Sequence, residues 1–308
     1  MSCGRILVIR GGAIGDFILT LPALAALRKQ FRQTYIEVLG YPHVAALARL
    51  AGYVNDIRSI EARALAGFFA RNGHLDEALS EHFASFNIIV SYLYDPDEIF
   101  RENMACCSKA QFIAGPHRPS EGENVHATEV FLKPLERLAI FDAEPVPRIP
   151  VATKPDRDVR KTLALHPGSG SETKNWPEEH WTELLKMIGA GTDWRVLLVG
   201  GEAEQARLQR LASIVPIERL SVAVHQPLTE LAVRSASCDA FLGHDSGITH
   251  LAAAVGLPGL ALWGGTNPKI WRPRSDRFGL LIDERGLAHL EPPRVLAAVT
   301  KLMDRAVD

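Results

Sequence analysis

The sequence predicts an α/β protein of two domains, each a parallel sheet with helices on both faces. Three observations carry this. Short apolar runs alternate with helical stretches along the whole chain. The alternation breaks once, at Pro145-Val146-Pro147-Arg148-Ile149-Pro150, a break that Lys154-Pro155 extends, and then restarts. The 308 residues are long for one core and comfortable for two domains of about 150 each. The expected domains are residues 1–150 and 151–308, with a cleft between them.

In the first half, Arg5 to Arg10 (RILVIR) reads as a strand. Asp16 to Phe31 reads as a helix, with Phe17, Leu21, Leu24, Leu27 and Phe31 at helical spacing. Tyr35 to Leu39 is a second strand, Val44 to Leu50 a helix and Asp56 to Ile60 a third strand. Arg63 to Phe83 reads as a long, mostly helical stretch interrupted by Gly67, Asn72 and Gly73. Asn87 to Leu93 and Gln111 to Ala114 are strands, and Val125 to Phe141 is helical despite Pro134. In the second half the strands are Thr162 to His166, Arg195 to Val199, Ala240 to Gly243, Gly259 to Trp263 and Leu280 to Asp283. Between and after them come helices at Glu178 to Ile188, Ala203 to Ala212, Leu228 to Ser235, Ile248 to Val255 and Pro293 to Met303.

Composition narrows the function classes. A hydrophobic content of 47% with 23% charged residues is ordinary for a soluble globular chain. A net charge of −2 gives no support to broad nucleic-acid binding. The four cysteines, Cys3, Cys106, Cys107 and Cys238, have no CxxC spacing, so neither a zinc site nor a redox pair is indicated. The N-terminus lacks a signal-peptide core, and no apolar run approaches the ~20 residues of a membrane span. The expected setting is reducing and cytoplasmic.

Ligands in such sheets bind beyond the carboxyl ends of the strands, so the polar turns there are the candidates. The turn Gly243-His244-Asp245-Ser246-Gly247 lies between a strand and a helix. Such a turn aims free backbone N–H groups and the positive end of the helix dipole at an anion, most commonly a phosphate. Asp245 is the expected N-cap there, though a capped turn without a ligand reads the same way. His166-Pro167-Gly168-Ser169-Gly170 permits close backbone approach, and Lys174 could neutralise a diphosphate at the same place. Gly11-Gly12-Ala13-Ile14-Gly15 is GGxxG rather than GxGxxG. It is a weak dinucleotide signal, and Glu37 sits inside its strand rather than at its end. Asp16, among these glycines, is placed for base chemistry or simply to complement the helix dipole.

Taken together, HPGSGSETKNWPEEHW, GHDSGITHLAAAVGLP, LWGGTNP and GGAIGDFILTLPAL resemble glycosyltransferase family 9, the heptosyltransferase family, in order from the first strand to about Pro273. The resemblance implies the GT-B arrangement: two Rossmann-like domains whose parallel sheets face a central cleft. Residues 1–150 would take the acceptor and residues 151–308 a nucleotide-activated sugar, typically ADP-heptose. Transfer would invert the anomeric centre without a metal or cofactor, onto a saccharide such as the lipopolysaccharide inner core, at the inner-membrane surface. The family's base matches Asp16 and its diphosphate lysine Lys174. Its helix-start motif matches Asp245-Ser246-Gly247, with Ser169 and His250 in the same donor-binding signatures. Its ribose-binding glutamate falls at Glu202 or Glu204, with Glu204 favoured. Ser246 stands where threonine is usual, and Asn267 where aspartate is common. The segment Arg58 to His74 is only modestly basic, with Arg58, Arg63, Arg71 and His74 against Glu61.

Two features invite a metal and are read otherwise. Asp95-Pro96-Asp97 is expected to start a helix, Asp95 as N-cap and Pro96 in the first turn. His166, His244 and His250 lie on separate turns without metal-ligand spacing. Two other functions stay open. One is a nicotinamide-dependent oxidoreductase using Gly11 to Gly15, for which Lys174 has no purpose. The other is a nucleotide-sugar-binding protein without catalysis, which would bind donor and never transfer it.

Overall fold

The computed structural model describes residues 4–152, 160–171 and 174–305. Lys154-Pro155, part of the expected linker, lies outside them. The chain divides into two compact units, Met1–Pro147 and Arg148–Asp308.

Unit 1 is a five-stranded sheet in the order β3-β2-β1-β4-β5. Its strands are β1 (Arg5–Arg10), β2 (Tyr35–Gly40), β3 (Asp56–Ser59), β4 (Ile88–Ser91) and β5 (Gln111–Ala114), and every pairing is parallel. β1 and β2 are buried at every position after the first, because helices cover both faces of a parallel sheet. α1 (Ile14–Gln30) buries Phe17, Ile18, Leu19, Leu21, Leu24 and Leu27, a helix apolar nearly all round and therefore fully packed. It begins two residues earlier than expected, so Asp16 is its third helical residue and the glycine turn before it is short.

Two long helical expectations fail in this unit. Arg63 to Phe83 divides into a 3₁₀ segment, Arg63–Phe69, and α3 (Glu77–Ala84), after α2 (Pro42–Leu50). The break contains Asn72 in the left-handed region (φ 54°), and the chain at Gly67 and Gly73 approaches so closely that no side chain fits. Val125 to Phe141 becomes α5 (Ala127–Leu132) and a 3₁₀ segment, Lys133–Leu138. Pro134 cannot supply the amide that would continue the α-helix. α4 (Ile99–Cys107) starts after Glu98, which is left-handed (φ 54°), not at Asp95. The Asp95 carboxylate still caps it, accepting from Phe100 N–H at 3.1 Å and Arg101 N–H at 3.0 Å.

Unit 2 is a six-stranded parallel sheet, β11-β10-β9-β6-β7-β8. The strands are β6 (Thr162–His166), β7 (Arg195–Gly200), β8 (Leu220–Val224), β9 (Ala240–His244), β10 (Gly259–Leu262) and β11 (Phe278–Leu281). The helices are α6 (Glu178–Gly191), α7 (Gln205–Ala212), α8 (Leu228–Ala236), α9 (Gly247–Ala254), α10 (Pro268–Trp271) and α11 (Pro292–Arg305). β11 sits two residues earlier than expected. β8 is an edge strand with Ala223 as its one buried residue; LSVAV is apolar at four of five positions, yet no strand is among the sequence expectations there. Trp176, Trp181, Leu184, Leu198, Val295 and Met303 belong to the core beneath this sheet.

In each unit the first and fourth strands lie side by side: β1 beside β4, and β6 beside β9. The connections on either side of such a pair run to opposite faces, which opens a crevice at the carboxyl ends of the two strands.

Candidate functional site

At the carboxyl end of β9, His244 leads into Asp245 and the start of α9. The N-cap of α9 is Ser246, not Asp245: Ser246 has the extended conformation of a cap, and its hydroxyl accepts from Thr249 N–H at 3.3 Å. This corrects the expectation, and the cause is tertiary. The Asp245 carboxylate is held elsewhere, 2.7 Å from Lys174 Nζ and 2.7 Å from Thr266 Oγ1. With Thr249 N–H satisfied, the N–H groups of Gly247 and Ile248 lack intrahelical partners, as at any helix start. Lys174 uses one of its three donors on Asp245, leaving two for another acceptor. His250 is buried one turn into α9.

The loop from β6 crosses this helix start, and His244 holds it. Trp176 N–H donates to His244 Nε2 at 2.8 Å, so Nε2 is unprotonated and Nδ1 carries the proton toward the Gly168 carbonyl at 3.2 Å. Both ends of the segment bearing Ser169 and Lys174 are thereby tied to β9. Burial drives the His244 pKa down to about 3 and that of His166 down to about 4, so both rings are neutral at pH 7. His166 Nδ1 lies 3.2 Å from the Ser246 hydroxyl. The Thr249 hydroxyl donates to the His244 carbonyl.

Glu204, at the start of α7, packs against Gly168: a Cβ on Gly168 would fall 2.3 Å from Glu204 Cγ. Its Oε2 accepts from Gly201 N–H at 2.9 Å. Glu202 is exposed. The Ser169 hydroxyl lies 2.8 Å from both the Ser171 carbonyl and Asn175 Oδ1. The predicted residues Ser169, Lys174, Glu204, Asp245, Ser246, Gly247 and His250 therefore stand at the carboxyl ends of three neighbouring strands, β7, β6 and β9. Thr266 adds a fourth loop, since Leu262 at the end of β10 pairs with His244. It was missed because its contact with Asp245 joins positions 21 residues apart. Its place in the GGTNP loop after a strand was the available signal.

Asp16 stands in unit 1, in the first turn of α1. Its Oδ2 accepts from Ala13 N–H at 3.4 Å, half of a capping box. Gly12 is left-handed (φ 100°), and a Cβ there would lie 3.2 Å from Asp16 Oδ2. Arg10, at the end of β1, is 3% exposed and donates to the Asp16 carbonyl at 3.2 Å. Among the described residues, no group of three or more His, Cys, Asp or Glu is placed to hold a metal ion. No described helix is long and apolar enough to cross a membrane.

Comparisons with known proteins bear on the family and the fold. Residues 144–291 match the model of glycosyltransferase family 9 (heptosyltransferase). A Haemophilus influenzae protein whose name goes no further than glycosyltransferase is 25% identical over 305 residues, 88% of this chain and 86% of its own. Lipopolysaccharide heptosyltransferase 1 of Pseudomonas aeruginosa is 39% identical over 105 residues, 34% of this chain and 28% of that protein. Among solved structures, Escherichia coli ADP-heptose LPS heptosyltransferase II superposes with a TM-score of 0.79 at 18% identity, covering 99% of this chain and 100% of that one. Escherichia coli heptosyltransferase WaaC with ADP gives 0.73, also at 18% identity, over 97% and 99%. At that identity the structural likeness speaks for the fold, and the fold is the expected two-sheet GT-B class. The sequence match relates residues 144–291, a little under half of the chain, to glycosyltransferase family 9.

Proposed function

We propose that this glycosyltransferase moves a heptose from ADP-heptose to a saccharide hydroxyl, inverting the anomeric centre without a metal. The observation that carries the reading is the β6/β9 crevice, where a helix start and Lys174 converge on one point. A nucleoside diphosphate suits that point. The N–H groups of Gly247 and Ile248 and the two remaining donors of Lys174 would oppose the charge that grows on the leaving diphosphate. Glu204 and Ser169, beside them, are assigned to the nucleoside. Names among the relatives support the sugar: the Pseudomonas protein is a heptosyltransferase, and one structural neighbour was solved with ADP.

Asp16 is assigned as the base. The acceptor oxygen forms its bond to the anomeric carbon, the bond from that carbon to the diphosphate oxygen breaks, and the hydroxyl proton passes to the Asp16 carboxylate. The bond electrons leave with ADP, so no second catalytic carboxylate is needed. The lipopolysaccharide inner core is the proposed acceptor class, with action at the cytoplasmic face of the inner membrane.

Titration calorimetry with ADP and with NADH tests the donor site. ADP is expected to bind and NADH not to. NADH binding without ADP binding would replace this reading with the oxidoreductase. Incubation with ADP-heptose and lipid-linked inner-core acceptor should then release ADP only when acceptor is present. ADP binding without any release would leave a nucleotide-sugar-binding protein.

A further inference from the structure

We propose that Tyr94 and His117 form a stacking subsite for an uncharged pyranose ring of the acceptor, beside Asp16. The inference rests on the assignment of the acceptor to unit 1. Tyr94 is 71% exposed, three residues beyond the end of β4, and its ring centroid lies 4.6 Å from that of His117 at a 59° tilt. His117 is also exposed and lies three residues beyond β5. Two aromatic rings are thus held together in solvent beyond the carboxyl ends of β4 and β5.

Arg10 ties this pair to Asp16. Its guanidinium is buried over the Phe131 ring at 4.4 Å and donates through Nη1 to the His117 carbonyl at 2.8 Å, and through Nη2 to the Asp16 carbonyl. Among the described residues it has no carboxylate within salt-bridge distance. Burying a cation to hold two backbone carbonyls is costly, and burial indeed lowers the Arg10 pKa. What the cost secures is position: one rigid planar group sets the loop carrying His117 against the turn carrying Asp16.

The chemistry of that surface points to a sugar face. An exposed aromatic ring is apolar on its face and, in tyrosine and histidine, polar at its edge. A pyranose matches this, with C–H groups on one face and hydroxyls around its rim. Charge points to a neutral ring. The cations nearest these rings in sequence, Arg101 at the start of α4 and Arg118 beside His117, each lie within salt-bridge distance of an acid, Glu98 and Glu121. Among the described residues, neither of these two neighbouring cations is left unpaired for a sugar acid.

Saturation-transfer-difference NMR on the full chain tests this, with methyl α-D-mannopyranoside as the neutral probe and the methyl glycoside of a 3-deoxy-ulosonic acid as the anionic one. The neutral glycoside should show transfer to the protons of one ring face. The effect should fall about three- to tenfold in Tyr94→Ala and in His117→Ala, the size of an aromatic contact, and persist in Tyr94→Phe. Both side chains are exposed, so melting temperature should not move, and ADP affinity should be unchanged in all variants. No transfer from the neutral glycoside, transfer that survives both alanine variants, or stronger transfer from the anionic glycoside would each overturn the proposal. ADP binding is read separately, so loss of the donor reading and loss of this subsite give different results.

Discussion

The β6/β9 crevice of unit 2 and the β1/β4 crevice of unit 1 stand at equivalent places in two sheets whose first five strands are ordered alike, and they are built in opposite ways. In unit 2 the polar side chains are bonded to one another: Lys174 to Asp245, Asp245 to Thr266, His244 to two backbone positions of one loop. In unit 1 a single buried arginine holds backbone carbonyls, and the Asp16 carboxylate has one long contact to its own helix turn. The difference would suit the two tasks proposed for them. A fixed cradle for a diphosphate gains from groups held before the ligand arrives. A base must meet a proton and gains from a carboxylate not already consumed by strong donors.

The sharpest way to break this comparison is Asp16→Asn. It keeps shape and cannot accept a proton. Transfer is expected to fall by about 10²–10⁴, while ADP affinity, which the proposal assigns to unit 2, stays as it was. If Asp16 serves only the helix terminus, turnover stays normal and stability drops by about 0.3–1 kcal/mol. Single-turnover rates and melting curves on one preparation separate these outcomes.

Lys174→Ala tests the cradle from the other side. It removes a charge-assisted contact of about 1.5–3 kcal/mol, so ADP affinity should fall by roughly ten- to a hundredfold. It also leaves Asp245, 10% exposed, with Thr266 as its remaining side-chain donor. Calorimetry that finds wild-type ADP affinity would make the ion pair purely structural.

Acid should damage unit 2 through its histidines. His166 and His244 are neutral in the folded chain, with pKa values of about 4 and about 3, and regain about 6.5 on unfolding. The unfolded chain therefore binds more protons as pH falls below 6.5. Stability is complete above that value and is lost on acidification, by up to about 1.4 kcal/mol per pH unit for each histidine, until the folded values are reached. Urea midpoints from pH 7 to 4.5 read this slope. His244→Gln should remove one proton from it, and an unaltered slope would show that His244 titrates normally.

Ser246→Ala is the smallest change. Losing the α9 cap should cost about 1 kcal/mol and a few degrees of melting temperature. A matching Asp245→Ala variant sharpens the point: if Asp245 were the cap, its removal would free the Thr249 amide, and exchange protection at Thr249 would be lost in Asp245→Ala rather than in Ser246→Ala.

The sequence by itself determined the class and marked the strand ends where the candidate residues stand. These are encoded locally: apolar runs bounded by glycine turns, and motifs such as HPGSG and HDSG placed directly after strands. Where local signals were strong and wrong, a nearby steric fact decided, as Pro134 did for α5. Only the tertiary structure decided what each polar side chain is bonded to. Asp245 looked like a cap because aspartate caps well. Its carboxylate goes instead to Lys174, 71 positions away in sequence, and the cap passes to Ser246. The strand β8, the contact of Thr266 and the place of Arg10 between Asp16 and His117 have the same origin. Each depends on partners brought together by the order of strands in a sheet, and that order is set by long-range packing that no short stretch of sequence contains.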